Sequence, residues 1–353
     1  MDDRDCSAEL RAQIQTHYQQ KTPLQIVAGQ SKDFYGNPVN AEPLAVSAHR
    51  GIVHYEPTEL VLTARCGTPL AEIEQALSDQ QQMLGFEPPH FGESATLGGC
   101  IASGLSGPAR PFRGAARDFV LGMRIINGKA EALHFGGEVM KNVAGYDLSR
   151  LFTGSLGTLG VILEVSLKVL PKPEIEQTFL FELSERAAIQ RINELSAQAY
   201  PISAACYDGE RLYLRVSGNA AAVTSTHKQI GGEVVNNDVA FWQSLREQRH
   251  PFFQNPQPLW RLSLAAATPP LDINGKQFID WGGAQRWLIS DEDPTRIRKQ
   301  LEQRGGHATL FRHAGDQPVF QPLTGKLHEL HINLKLALDP HCLFNPGRMY
   351  PDF

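Results

Sequence analysis

The stretch Gly92-Glu-Ser-Ala-Thr-Leu-Gly-Gly-Cys-Ile-Ala-Ser-Gly-Leu-Ser-Gly107 decides how the rest of this chain is read. It holds too few bulky apolar side chains to build a core. It is dense enough in Gly, Ala and Ser for its backbone to be approached closely by another group. Backbone N–H groups in such turns can converge on a polyanion, because glycine adopts positive φ and has no Cβ in the way. Two segments of the same kind flank it, Gly29-Gln-Ser-Lys-Asp-Phe-Tyr-Gly36 and Gly154-Ser-Leu-Gly-Thr-Leu-Gly160. Any one alone is most simply a tight turn; three in the first half of one chain point to a cradle for a nucleotide's phosphates.

The elements around these loops are strands and short helices. A helix over 9–20 leads to an apolar strand at 24–28 and the first loop, and β-prone stretches follow at 44–48, 52–55 and 60–65. Thr68-Pro69 supplies N-cap and first-turn residues for a helix to about 84, with Leu70, Ile73, Leu77 and Leu84 as its buried stripe. Segments 120–126 and 132–135 flank Asn127-Gly128, the preferred dipeptide of a type I′ hairpin. After the third loop, Val161, Leu163, Val165, Leu167 and Val169 share one face of a long strand, with Glu164, Ser166 and Lys168 on the other. Pro171 and Pro173 end it and mark a domain boundary.

The fold class expected is therefore α+β. A glycine-rich domain over 1–173 is followed by a smaller antiparallel α+β domain over 174–312, and a C-terminal segment, 313–353, returns to the first domain. The second domain reads as strand 178–183, helix 185–199, strand 211–216, helix 221–230 and strands 259–265 and 286–289, and the tail carries a helix near 327–338.

Composition narrows the function classes. A chain of 353 residues with 42% hydrophobic content suits two domains, and a net charge of -5 with interspersed signs offers no broad positive surface for nucleic acid. The opening Met-Asp-Asp-Arg-Asp-Cys-Ser lacks the basic and apolar regions of a secretory signal, and no apolar run is long enough to span a bilayer. The five cysteines are scattered without C-x-x-C spacing, so a metal or iron–sulfur relay would have to come from another chain. There is no G-x-G-x-x-G, and Gly128-Lys, Gly275-Lys and Gly325-Lys are never followed by Ser or Thr, so both the Rossmann fingerprint and the P-loop are absent.

The three loops, in order and separation, resemble those of the p-cresol methylhydroxylase and vanillyl-alcohol oxidase type of FAD domain. More narrowly, Leu105-Ser-Gly-Pro-Ala-Arg-Pro, Val139-Met-Lys-Asn-Val-Ala-Gly-Tyr-Asp and Asn345-Pro-Gly-Arg resemble the FAD-binding E subunits of bacterial glycolate oxidases. The resemblance implies that Gly29, Gln30, Ser31 and Lys32, with Thr96, Leu97, Gly98 and Gly99, wrap the pyrophosphate, and that Ala102, Ser103 and Gly104 lie beside it. It implies further that Gly154, Ser155, Gly157, Thr158, Gly160 and Val161 line the adenine and ribose side. The first loop carries Gln30, Ser31 and Lys32 where some relatives carry a flavin-linked histidine, so FAD is expected to be non-covalent. The implied activity is oxidation of glycolate, a small 2-hydroxy acid, to glyoxylate. Electrons would pass by way of flavin to an iron–sulfur partner subunit, beside a sister FAD-containing catalytic subunit. The implied location is cytoplasmic, with partner chains holding the complex peripherally at the inner membrane.

Polar residues in these motifs each carry a functional and a structural reading. Lys141, Tyr146 and Arg150 either offset and stack against the cofactor or form a hairpin and cap. Arg348 with Asn345 either reaches flavin or a carboxylate, as a bidentate guanidinium can, or pins the tail; in the functional reading these two and Lys141 are the candidate catalytic residues. His90 approaches the flavin or packs a loop, and His328 and His331 lack a third metal ligand. The sister D-type subunits carry an H-G-D-G-N-x-H type motif where this chain has His313-Ala-Gly-Asp316, and glutamate where it has Leu156. Those departures keep open a second reading, a non-catalytic FAD-bearing subunit that supports a catalytic sister. A third is a stand-alone flavin reductase like the enolpyruvyl-glucosamine reductases.

Overall fold

The central strand of the glycine-rich half, Val161–Lys168, has both faces covered: Val161, Leu163, Val165 and Leu167 are fully buried, and Glu164 and Ser166 opposite them are also buried. The alternation of the sequence is thus not an inside–outside alternation. Ser166 pairs its hydroxyl with Thr63 at 2.8 Å, and Glu164 takes a 2.6 Å bond from Arg124, which satisfies the polar face. The strand is third in an antiparallel five-stranded sheet ordered Ile52–Glu56, Val61–Arg65, Val161–Lys168, Val120–Ile126, Ala132–Gly136. This computed structural model describes residues 3–137, 148–312 and 317–353.

The chain divides into two compact units, one of 1–105, 115–171 and 322–353 and one of 106–114 and 172–321. The first unit buries an apolar core, to which helix Ser7–Gln20 gives Leu10 and Ile14, helix Leu70–Asp79 gives Leu70, Ile73 and Leu77, and the tail gives Leu343, Phe344 and Phe353. Burying each such side chain is worth about 1.5–3 kcal/mol, which is what holds the distant tail in this unit. A short parallel pair, Leu24–Val27 with Glu42–Ala45, stands apart from the main sheet and leads directly into the first loop.

Three local expectations fail for identifiable reasons. The helix starting near Thr68 stops at Asp79, and Gln81 turns through φ 54° so that Gln82–Met83 can pair with Leu170–Pro171. Leu84 is buried beyond the helix, and Thr68 is no cap: its hydroxyl accepts from the Gly51 N–H at 2.9 Å. The Asn127-Gly128 hairpin is a five-residue connection over 127–131 rather than a type I′ turn. Its left-handed residue is Ala130, and the side-chain Oδ1 of Asn127 accepts the N–H groups of Lys129 and Glu131. Gly128 is needed instead because a Cβ there would lie 2.3 Å from the Asp339 carboxylate.

The second unit is an eight-stranded sheet in which every neighbouring pair is antiparallel. Strands Ile202–Tyr207, Lys276–Asp280 and His307–Arg312 have no counterpart in the sequence reading. The first of these is built on Ala204, Ala205 and Cys206, all fully buried, whose small side chains give little β signal. Helices Glu185–Ser196 and Ala220–Ile230 pack one apolar cluster of this unit and Pro294–Glu302 another. No helix among the described residues is long and apolar enough to cross a membrane.

Candidate functional site

The three glycine-rich loops meet in the first unit, and the contacts that join them leave no room for side chains. A Cβ on Gly29 would fall 1.5 Å from the Ser94 carbonyl oxygen, which fuses the first loop to the second. One on Gly104 would fall 2.9 Å from the Gly154 Cα, which fuses the second to the third. Gly98 sits against Cys66, and Gly157 against the Asn345 amide at 2.8 Å. Around them opens a cleft lined by residues of all three loops and of the tail.

Of the residues expected at the cofactor, Gly29, Gln30, Ser31, Lys32, Thr96, Gly98, Gly99, Ala102, Ser103, Gly157 and Gly160 line this cleft, as do Asn345 and Arg348. Leu97, Gly104, Gly154, Ser155, Thr158 and Val161 do not line it; Leu97 and Val161 are core residues, and Gly104 and Gly154 form the seam between loops. Lys141, Tyr146 and the 313–316 segment lie outside the described residues, and Arg150 is exposed on helix Leu148–Phe152.

Backbone geometry shows where an anion can be held. Gln30 stands in the left-handed region at φ 54°, and neither its N–H nor that of Ser31 makes a hydrogen bond among the described residues. In the third loop Leu156 and Gly157 are left-handed in succession, at φ 52° and 71°, and the Gly157 N–H is likewise without an acceptor. Consecutive turns of this kind form the backbone concavities that hold phosphates. The first turn of helix Leu97–Ser103 contributes differently. Its Leu97 and Gly98 N–H groups already donate to the Thr68 and Cys66 carbonyls, and the Gly99 N–H to the Thr96 hydroxyl, so what it offers is close approach. A Cβ at Gly99 would meet only that hydroxyl, at 3.4 Å.

Among the described residues three charged side chains line the cleft: Lys32, Asp33 and Arg348. The Lys32 ammonium donates to the His90 carbonyl at 3.1 Å and to the Ser31 hydroxyl at 3.3 Å, tying the first loop to the segment before the second. His90 itself pairs with Glu74 at 3.1 Å and does not line the cleft. Asp33 was not singled out by the sequence; burial raises its carboxyl above the usual range and the Arg348 charge opposes that. Burial in turn lowers Arg348, whose guanidinium donates to the Asn37 carbonyl at 2.9 Å and the Asp33 carbonyl at 3.1 Å. Asn345 is engaged at both ends of its amide, its oxygen accepting from the Ile26 N–H at 2.8 Å and its NH2 donating to the Leu156 carbonyl at 2.7 Å. The tail motif thus clamps the first strand, the first loop and the third loop.

Among the described residues no histidine lines the cleft, and burial pushes the Cys66 thiol, which does line it, up to about 12, too high for a nucleophilic thiolate. His328 pairs with Asp352 at 2.6 Å and His331 lies against the Leu327 carbonyl; no metal-binding group of three occurs among the described residues. The cradle fits a dinucleotide: glycines where a Cβ would intrude, unengaged N–H groups in two loops and two cations beside them.

Comparison with known proteins agrees with this geometry. Residues 5–136 match the family described as FAD binding domain. The chain is 51% identical to glycolate oxidase subunit GlcE of Escherichia coli (strain K12) over 99% of its length and 98% of that protein's. It is 34% identical to glycolate oxidase subunit GlcD of Bacillus subtilis (strain 168), over 41% of this chain and 31% of that one. Among solved structures, p-cresol methylhydroxylase superposes with a TM-score of 0.73 over 99% of this chain and 88% of that chain at 14% identity, a likeness of fold.

Proposed function

The chain belongs to the GlcE family of glycolate oxidase subunits, and from that premise we propose that it is the FAD-binding subunit of a multisubunit glycolate oxidase, with FAD held non-covalently in the three-loop cleft. It is a flavoprotein of the oxidoreductase class. The observation that carries the reading is the pair of left-handed turns, at Gln30 and at Leu156-Gly157, whose unengaged N–H groups open on one cleft. Gln30, Ser31 and Gly157 would receive the pyrophosphate, with Lys32 and Arg348 supplying positive potential beside it. Gly29, Gly98 and Gly99 let the backbone come close. The first loop's Gln30, Ser31 and Lys32, in place of a flavin-linked histidine, and the inert Cys66 thiol support dissociable cofactor.

FAD, when bound, supplies an acceptor for two electrons. In this reading the complex oxidises glycolate to glyoxylate, and the electrons leave through an iron–sulfur partner subunit, since the scattered cysteines of this chain do not suit a cluster. A sister FAD-containing subunit completes the assembly, which the partner chains hold at the membrane from the cytoplasmic side. Asn345 and Arg348 act as positioning residues, because their polar atoms are committed to loop backbone. That commitment favours a second reading, in which this chain bears FAD and supports a sister that does the chemistry. Lys141, outside the described residues, stays the candidate for a catalytic cation.

Anaerobic mixing with glycolate, followed by flavin absorbance, tests both. Bleaching of the isolated chain establishes it as catalytic; bleaching only with its partners present establishes the supporting or relay role; a purified chain that takes up no FAD refutes the proposal. Flavin that stays with acid-precipitated protein refutes non-covalent attachment.

A further inference from the structure

One ion pair in the first unit is almost completely buried and does not line the cleft. Lys335 of the tail helix Gly325–Leu338 is 1% exposed and Asp339, one turn on, is 0% exposed. Burial of this kind is costly unless every donor and acceptor is satisfied, and here they are. The Lys335 ammonium spends its three N–H groups on Asp339 at 2.9 Å, the Phe344 carbonyl at 3.0 Å and the Thr158 carbonyl at 2.6 Å. The Asp339 carboxylate also accepts the N–H groups of Leu343 and Phe344, both at 2.9 Å.

Thr158 belongs to the third loop, and its carbonyl is one of two that the tail grips there. The other is Leu156, held by the Asn345 amide. The two grips straddle Gly157, whose N–H opens on the cleft and whose backbone, like that of Leu156, is left-handed. A non-glycine residue in that region persists only where its surroundings over-determine it. The turn around the Asp339 carboxylate also delivers Asn345 to its place, since the Asn345 N–H continues onto the Leu24 carbonyl at 2.9 Å. We propose that Lys335, paired with Asp339, is a positioning residue for the cofactor: it sets the backbone at 156–158, and FAD affinity depends on it although it touches neither the cleft nor the reacting atoms. The inference rests on the FAD reading above.

The test separates affinity from stability. Lys335→Met leaves a buried carboxylate unpaired and two carbonyls without their donor, so it lowers both. Lys335→Met/Asp339→Asn removes the orphaned charge and recovers part of the thermal stability, one of the Leu343 and Phe344 N–H groups losing its acceptor, yet still leaves the Thr158 carbonyl ungripped. Leu10→Ala, a core truncation on helix Ser7–Gln20, lowers stability without touching the loop. FAD is titrated into each apo chain by flavin fluorescence, below the lowest melting temperature. The expected result is a dissociation constant raised at least tenfold in the double variant and changed less than twofold in Leu10→Ala. A double variant that binds FAD as wild type does, while wild type binds it, overturns this inference alone. Wild type that takes up no FAD overturns the cofactor reading and this inference with it. If Lys335→Met does not fold, the double variant decides.

Discussion

Asn345→Asp is isosteric, yet the structure predicts a pH-dependent loss of stability from it. The Asn345 oxygen accepts from the Ile26 N–H, which an aspartate oxygen can also do, but its amide donates to the Leu156 carbonyl at 2.7 Å, where an ionised carboxylate would oppose one oxygen with another. The site is 6% exposed, so water cannot relieve the opposition. The protonated acid, by contrast, restores the donor. The folded-state pKa of the new carboxyl is therefore raised above its unfolded value of about 3.9. With the proton held more tightly in the folded state, stability falls as pH rises, by at most about 1.4 kcal/mol per unit, from near that unfolded value up to the folded pKa. The gap to wild type should be small near pH 4 and widen as pH rises toward 7, reaching about 2–4 kcal/mol in total. All four tryptophans lie between 242 and 287, in the second unit, so intrinsic fluorescence would follow the wrong unit. Urea unfolding by far-ultraviolet circular dichroism, wild type against variant at several pH values, is the assay. A gap that does not change with pH would refute the assigned contact between Asn345 and Leu156.

Two glycines of the cleft should respond in opposite ways. Gly29→Ala drives a Cβ to within 1.5 Å of the Ser94 carbonyl and forces the first two loops apart, so both stability and FAD uptake should fall sharply, by differential scanning fluorimetry and flavin titration. Gly99→Ala meets only a hydroxyl at 3.4 Å inside a helix, so stability should hold or rise by up to about 1 kcal/mol while FAD binding weakens; equal damage to stability from both would contradict the assigned packing. Burial lowers the pKa of His49, whose Nδ1 accepts from the Cys6 N–H at 3.0 Å. A histidine with a depressed folded pKa lends stability above its unfolded value of about 6.5 that is lost as pH falls through the folded one. Acidification below about 6.5 should therefore destabilise wild type more steeply than His49→Asn, read from urea midpoints, and parallel slopes would exclude His49 as the cause.

The glycine loops were legible because their signal is local: three clusters of residues without bulk, each able to turn where others cannot. Of the lining residues, Gly29 to Lys32 and Gly98, Gly99, Ala102 and Ser103 follow from those clusters directly. Asp33 and Cys66 could not be found that way, since a single aspartate or cysteine beside a loop carries no pattern. Lys335 and Asp339 left a faint trace, a lysine on the same helical face as Leu338 with an acid four residues later, but that order is common on solvated helices. The strand at Ile202–Tyr207 was missed because its small side chains give little β signal even though its partner Arg211–Gly218 follows directly, whereas the helix after Leu70 was shortened by the pairing of Gln82–Met83 with Leu170–Pro171, distant in sequence.

By itself the sequence determined the class of fold, the three loops that approach an anion, and the exclusion of Rossmann and P-loop binding, because each depends on residue types at short spacing. Only the tertiary structure decided which of those glycines face the cleft and which form seams, and that the tail motif clamps loops instead of presenting free polar groups. It also decided that the central strand is buried on both faces. These are properties of what lies opposite a residue across the fold, and a residue's opposite number, such as the Leu156 carbonyl for Asn345 or the Thr158 carbonyl for Lys335, is chosen by the packing of the whole unit.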